Sequence, residues 1–270
     1  MRPIHYLLVL IICLPLGAFA QQQLPGDRNI YNTQGPGFVY NKEWTFNLLA
    51  YTPRSFGIGM KVGKISSYDK MSFWAVELSD MRHPRELRSN FEKVIIQTNR
   101  VSRAFILGKQ NNFYTIRAGL GGRTYVSEKA KQRGVAVGYS WQAGPTLGLL
   151  KPYYLEIDTG EPGGGAVVSD VKFNGDNAEL FLDRFRIFGA SNWSRGLSET
   201  KLRPGVHAKF AVHLGLGAFD EFAKSLEVGV QADYFFTEIP LMVESDLTPG
   251  IENTPLFLNF FVALQLGKRM

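Results

Sequence analysis

Two neighbouring segments near the C-terminus carry bases, acids and an amide at spacings that are multiples of two. The segments are 206–218 and 226–237, and their polar members are His207, Lys209, His213, Glu227, Gln231 and Asp233. Side chains two residues apart lie on the same face of a β-strand, so these six would share one surface if the segments pair. Arg117, Glu77 and Glu156 would join them from other segments. Such groups can form buried ion pairs, bind a polar solute or transfer protons.

Three interpretations of this polar set remain open. It can stabilise the inside of a barrel, because opposite charges removed from water need partners. It can line a path for small solutes, or it can catalyse a reaction. Lipid hydrolases need a nucleophile such as serine beside a histidine that an acid orients, and His207 and His213 have no serine on their own segment. We therefore favour the stabilising network and expect that the protein is not an enzyme.

The pairing within the set depends on the turn that joins the two segments. A hairpin centred on Glu221 would place Lys209 opposite Asp233 and His213 opposite Gly229. This register puts opposite charges directly across from each other, which stabilises a strand pair.

No motif predicts a metal ion or a cofactor. The histidines have no spacing typical of a zinc site, and the only cysteine is Cys13. The glycine run 163–165 lacks the Lys-Ser/Thr pair of a phosphate-binding loop, so it indicates a flexible loop tip. We expect no cofactor and no bound metal.

The segments that position these residues alternate apolar and polar side chains, which is typical of β-strands. Ten segments read in this way: 43–51, 56–65, 71–79, 102–108, 112–122, 134–143, 146–157, 206–218, 226–237 and 256–266. Several reach the roughly 9 to 11 residues that a tilted strand needs to cross a bilayer. A soluble barrel has the same periodicity with the apolar face inside, so periodicity alone does not distinguish the two.

Three features favour the membrane. Aromatic residues lie near predicted strand ends, as in the girdles of membrane barrels: Trp74, Tyr139, Trp141, Tyr153, Tyr154 and Tyr234. Short connections alternate with long ones, the long ones being 80–101, 123–133, 158–205 and 238–255. A final amphipathic strand precedes the C-terminus. The sequence therefore predicts an all-β, transmembrane, antiparallel up-and-down barrel of about ten strands, with eight possible, and with long extracellular loops.

The N-terminus has the form of a secretory signal peptide, with Arg2, a short apolar run and Ala18-Phe19-Ala20. We predict a signal peptide at 1–20, an N-terminal periplasmic segment at 21–42 and the barrel at 43–267. The formal charge of +6 falls to +5 when Arg2 is removed. This mild positive excess does not indicate a particular class of binding partner. A protein exported across the inner membrane is not expected to bind nucleic acid.

Two kinds of loop sequence suggest partners. Basic residues in 80–101 and 123–133 could pair with lipopolysaccharide on the outer face, or simply form a solvated rim. The longest loop contains a predicted amphipathic helix at 177–188. Its apolar residues, with a tryptophan just beyond, are Leu180, Phe181, Phe185, Phe188 and Trp193. Such a stripe needs a cover, either the barrel mouth or a partner protein.

Several stretches resemble uncharacterised outer-membrane β-barrel proteins of Bacteroidota. These are Gly108-Lys-Gln-Asn-Asn-Phe-Tyr114, Gly148-Leu-Leu-Lys-Pro-Tyr-Tyr-Leu-Glu-Ile157, Leu202-Arg-Pro-Gly205, Leu256-Phe-Leu-Asn-Phe-Phe261 and Gln265-Leu-Gly-Lys268. The resemblance covers most of the chain after the signal and implies a barrel in the outer membrane, but no activity.

We therefore expect a non-enzymatic, porin-like barrel in the cell outer membrane, in contact with membrane lipid and lipopolysaccharide. The leading hypothesis is a structural or accessory subunit whose loops dock other outer-membrane or periplasmic proteins of a secretion or assembly complex. The alternative is a narrow channel for small solutes.

Overall fold

The computed structural model describes residues 40–67, 69–89, 94–95, 100–126, 135–160, 167–216, 221–245, 248 and 250–270, with only the backbone given for 94–95 and 100. The strands in chain order are β1 Lys42–Tyr51, β2 Ser55–Ile65, β3 Lys70–Met81, β4 Arg88–Ser89, β5 Val94–Ile95, β6 Arg100–Val101, β7 Phe105–Ile106, β8 Asn111–Tyr125, β9 Ala136–Pro152, β10 Tyr154–Asp158, β11 Val168–Lys172, β12 Ile187–Ala190, β13 Lys201–Gly215, β14 Phe222–Phe235 and β15 Leu256–Arg269. An α-helix, α1, spans Ala178–Leu182, and a 3₁₀ turn spans Leu197–Glu199.

Eight strands form a closed antiparallel barrel in the order β1-β15-β14-β13-β9-β8-β3-β2. The first and last strands close it, with Glu43 opposite Arg269 and Tyr51 opposite Phe261. Every barrel strand therefore has two neighbours, and no edge is left unpaired. Within the described residues, no helix is both long and apolar enough to cross a membrane.

The inside of the barrel is polar and the outside is apolar. In β1, Thr45 and Asn47 are fully buried, whereas Phe46 and Leu48 are exposed. Exposed apolar side chains on the other barrel strands include Ile58, Val76, Phe210, Val228, Tyr234 and Val262. This is the reverse of a soluble barrel, where apolar side chains fill the interior. The outward apolar belt follows all the barrel strands, and soluble monomers rarely expose a continuous apolar surface of this kind.

The prediction of about ten barrel strands is wrong, and the alternative of eight is correct. The segment 102–108 contributes only β7, which pairs with β4 outside the barrel. The segments 134–143 and 146–157 are largely one strand, β9, which runs through the predicted turn at Gly144-Pro145. Pro145 lies opposite Val206 in the pair with β13, so the strand continues.

The two rims of the barrel differ in the length of their connections. The near rim, defined by the start of β1 and the end of β15, has the connections 66–69, 126–135 and 216–221. The far rim has 52–54, 82–110, 153–200 and 236–255. The loop predicted at 123–133 therefore belongs to the rim of the termini, and its placement beside the other long loops is wrong. Arg123 of that set lies inside the barrel.

The far-rim loops fold into a small structured unit, called here the loop body. β10 pairs with β11 on one side and β12 on the other. Its core consists of Phe105, Leu155, Ile157, Phe181, Ile187 and Val243, all buried. Because side chains from all three long loops share this core, the loops hold one another in place.

The predicted signal peptide at 1–20 lies outside the described residues, as does almost all of the segment 21–42. The barrel begins at Lys42 and ends at Arg269, close to the predicted bounds 43 and 267.

Candidate functional site

The barrel interior holds polar groups that follow one another from the near rim to the far rim. At the near rim, Glu43 accepts hydrogen bonds from Arg123 Nη1 and Arg269 Nε, each at 2.8 Å. Arg123 also donates to Gln265 Oε1 at 3.3 Å. These side chains are all buried, so two cations neutralise one carboxylate away from water.

The next group is centred on Glu227. Lys61 Nζ lies 2.8 Å from Glu227 Oε2, and Ser140 Oγ donates to Oε1 at 3.1 Å. His213 Nδ1 is 3.2 Å from the same Oε1, and its Nε2 is 3.2 Å from the Tyr125 hydroxyl. Both nitrogens of the imidazole are thus engaged, and the ring is fully buried.

Farther along the axis, Lys209 and Glu77 form a third pair. Lys209 Nζ lies 2.8 and 3.0 Å from the two oxygens of Glu77. The Tyr51 hydroxyl donates to Glu77 at 3.4 Å, and the ammonium lies 4.3 Å from the centre of the Phe261 ring. This pair joins β13 to β3 across the interior, since the two strands are not neighbours.

The fourth group is centred on Arg117 and Asp233. The guanidinium donates to both carboxylate oxygens, at 2.7 and 3.1 Å, and to Ser79 Oγ at 2.6 Å. Gln231 donates to Asp233 at 2.8 Å. His207 Nδ1 is 3.0 Å from the Thr146 hydroxyl. A bidentate pair with further hydrogen bonds is the geometry that best offsets the cost of burying charge.

The predicted polar set lies inside the barrel, but its predicted partners are wrong. His213 faces Glu227 and Lys209 faces Gln231, while His207 faces Asp233. The actual register differs by two residues from a hairpin centred on Glu221. A shift of two keeps every side chain on its own face, because the period of a strand is two.

Glu156 was predicted to face the barrel interior and does not. It lies on β10, where it is opposite Asp170 of β11. The reason is that β9 ends at Pro152, so the chain has left the barrel before it reaches Glu156.

An apolar cluster covers the far end of the polar interior. Its buried members are Met81, Phe113, Leu150, Phe235, Ile239, Leu241 and Met242, and Ile251 and Phe257 pack against it. The rings of Phe113 and Phe235 meet edge to face with centres 5.0 Å apart. Below it, the space between Tyr51, Ser79, Arg117 and Asn259 is too small for a water molecule.

No family model matches the chain, and no curated protein sequence matches it. Solved structures that are similar to it at low identity include the following two. One is Neisserial surface protein A, at 6% identity and a TM-score of 0.40, over 86% of this chain and 97% of that one. The other is Ail, the attachment invasion locus protein of Yersinia pestis, at 8% identity and a TM-score of 0.36, over the same shares. The resemblance to Bacteroidota proteins stays a prediction.

The five residues of the predicted docking stripe are not together on one surface. The helix is only α1, much shorter than the predicted 177–188, and Phe181 is fully buried in the loop body. Leu180 packs partly against the same core. Phe185 is 90% exposed and Trp193 is 61% exposed. Phe188 lies on β12 and is half-buried.

A cleft of about 600 Å³ opens between the loop body and the far rim. Its charged lining residues are Arg54, Asp80, Arg82, Glu86, Arg88, Lys109, Lys151 and Arg195. Tyr153 and Tyr154 also line it, so these two are not part of a membrane girdle as predicted. Burial raises the pKa of Tyr153 to about 12.

Sequence reasoning did not find this cleft, because its walls come from segments far apart in the chain. One local signal does exist. Lys151 falls on the outward phase of β9, the same face as Trp141 and Leu147. A lysine on this apolar face at a strand end indicates a contact beyond the sheet.

Proposed function

We propose that the protein is an integral barrel of the cell outer membrane and acts without catalysis, by docking other envelope proteins on its loop body. The observation that carries the membrane part is the continuous apolar belt around a polar interior. Hydrocarbon tails would cover this belt, and the closed barrel leaves no strand edge unpaired in lipid. The near rim, whose connections have at most ten residues, would face the periplasm, and the far rim, which carries the three longest connections, would face outward.

The docking part of the proposal is supported by the packing of the far-rim loops into one structured unit. They bury a common core, so a partner would meet a preorganised surface and would not have to order it on binding. Phe185 stands on this surface with 90% of its area exposed. Exposed aromatic side chains are frequent anchors of protein interfaces.

The absence of catalysis is supported by the surroundings of the interior histidines. His213 is held between Glu227 and Tyr125, and Ser140 donates to Glu227 at 3.1 Å, so this serine is not aligned with the imidazole. Among the described residues, no group of three or more His, Cys, Asp or Glu side chains is placed to hold a metal ion.

We expect the barrel not to conduct ions. The ion pairs occupy the interior, and the apolar cluster around Phe113 and Phe235 covers its far end. Recordings in planar bilayers should therefore show no conductance steps when correctly folded protein inserts, under conditions in which a wide porin gives clear steps. Reproducible steps from the folded protein would instead favour the narrow-channel alternative.

We expect the substitution Phe185→Ser to weaken capture of a partner by at least about tenfold, the loss that follows when an aromatic anchor is removed. The barrel itself should be unaffected, because the side chain is almost fully exposed. The measurement is crosslinking from a photoreactive residue at the neighbouring exposed position 184, in the protein with Phe185 and in the variant, followed by mass spectrometry after mild detergent extraction. The matched control is Val167→Ser, which removes another exposed apolar side chain of the loop body. A solitary monomer with no crosslinked protein would contradict the docking proposal.

A further inference from the structure

The cleft at the far rim is strongly cationic. Six arginine and lysine side chains line it, against two carboxylates. Some of the charge is neutralised locally: Arg82 pairs with Asp80 at 2.8 Å, and Lys109 pairs with Glu86 at 2.5 Å. Arg195 pairs with Asp170 at 2.7 Å. After these pairs are formed, Arg54, Arg88 and Lys151 have no carboxylate partner among the described residues.

Lys151 is the most unusual of the three. Its side chain is only 3% exposed. Its ammonium donates to the backbone carbonyls of Trp193 and Arg195, at 2.6 and 3.0 Å, and lies 5.1 Å from the centre of the Trp193 ring. An ammonium has three donors, so one N–H has no protein acceptor among the described residues. A buried cation without a counter-ion is costly, and an anion in the cleft would offset that cost.

The same wall of the cleft carries a fixed aromatic face. The indole N–H of Trp193 donates to the Tyr114 hydroxyl at 3.0 Å, which holds the ring, and 61% of the side chain remains exposed. One region of the cleft therefore combines a flat apolar surface with donors for an anion. A sugar ring that bears an acid matches both, since its C–H face packs on an aromatic ring and its acid accepts charge-assisted hydrogen bonds.

We propose that this cleft binds an acidic saccharide, with its carboxylate or phosphate at Lys151, Arg54 and Arg88 and its ring on Trp193. Arginine suits this task because its planar fork matches both carboxylate and phosphate. The volume of about 600 Å³ lies within the range of about 300–1,000 Å³ typical of small-molecule sites. The inference does not depend on the docking proposal, because the cleft and the exposed Phe185 are separate features.

The test is isothermal titration of the full chain in phosphatidylcholine nanodiscs with digalacturonate, glucose 1-phosphate, maltose and triglutamate. We expect the two acidic sugars to bind, and maltose and triglutamate to bind at least about tenfold more weakly, because the former lacks the charge and the latter the ring. Lys151→Met should weaken digalacturonate binding by at least about tenfold, the loss of one charge-assisted hydrogen bond. Trp193→Ala should do the same.

Two further variants keep the test decisive. The double substitution Arg54→Gln and Arg88→Gln changes only exposed side chains, so its effect on folding should be small, and it should weaken binding by at least about tenfold. Lys172→Met is the control, because this exposed lysine of the loop body pairs with Glu199 and does not line the cleft. Its binding should equal that of the unchanged protein.

Nanodiscs that contain lipopolysaccharide identify the source of the saccharide. Weaker digalacturonate binding in their presence would assign the cleft to headgroups of the same membrane, and unchanged binding would assign it to a soluble polysaccharide. Equal binding of triglutamate, or no binding of either acidic sugar, would overturn the proposal. So would digalacturonate binding that neither Lys151→Met nor the arginine pair weakens.

Discussion

Replacement of Val262 by arginine is expected to lower the free energy of unfolding of the barrel in a lipid bilayer by about 2–4 kcal/mol. Val262 lies in the middle of β15 and is 45% exposed on the outside of the barrel. Its neighbours on the adjacent strands are Ala50 and Val228, which also face outward. An arginine here would have to leave water for the hydrocarbon region without a partner. Urea titration of protein folded into phospholipid vesicles would measure the change.

The matched control is Leu256→Arg on the same strand and the same face. Leu256 is the first residue of β15, at the far rim, where an arginine can reach the lipid headgroups. At this position the arginine should lower the free energy of unfolding by only about 0–1 kcal/mol. If the outside of the barrel faced water, both substitutions would fall within about 0.5 kcal/mol of zero. That result, or a barrel that stays dissolved and folded without detergent, would contradict a membrane location.

The faces of the barrel strands could be predicted from the sequence because a strand has a strict period of two. Residues such as His207, Glu227 and Asp233 point inward in any register that shifts by an even number. The register itself depends on the conformation of the turn at 216–221, and no residue of the flanking strands fixes that. The face on which a side chain lies can therefore be predicted from its own strand, whereas its partner on the next strand cannot.

The number of strands was harder to predict because glycine and proline have two meanings. Gly144-Pro145 is typical of a turn, yet the inward residues Gln142 and Thr146 keep the same phase on both sides of it. If the chain turned here, the inward positions after the turn would not have to stay in step with those before it. The unbroken alternation from Gln142 to Thr146 therefore indicates one long strand. Gly144 also packs so closely on β8 that a Cβ there would lie 2.2 Å from the Ala118 carbonyl oxygen. Here glycine serves close packing and not a turn.

The ion pairs across the interior could not be predicted from the sequence at all. Lys61 and Glu227 lie on β2 and β14, and Lys209 and Glu77 lie on β13 and β3, so neither pair joins neighbouring strands. Which residues meet across a barrel depends on the number of strands and on their stagger. Both are properties of the closed structure.

Breaking one of these buried ion pairs is expected to destabilise the barrel strongly. The substitution Arg117→Met should lower the free energy of unfolding by about 3–5 kcal/mol, because it leaves Asp233 buried without its cation. The double substitution Arg117→Met and Asp233→Leu should recover most of that loss, since apolar side chains of similar size can replace a buried pair at little cost. Urea titration of the folded protein in vesicles measures both.

A matched comparison separates burial from charge. Arg82 and Asp80 form a pair of similar length, 2.8 Å against 2.7 Å, at the far rim, where both side chains remain partly exposed. Arg82→Met should therefore change the free energy of unfolding by no more than about 1 kcal/mol. If Arg117→Met lowered the free energy of unfolding no more than Arg82→Met does, water would have to reach Asp233 inside the barrel. The interior would then be open to solvent, and the narrow channel would replace the filled barrel as the better account of the fold.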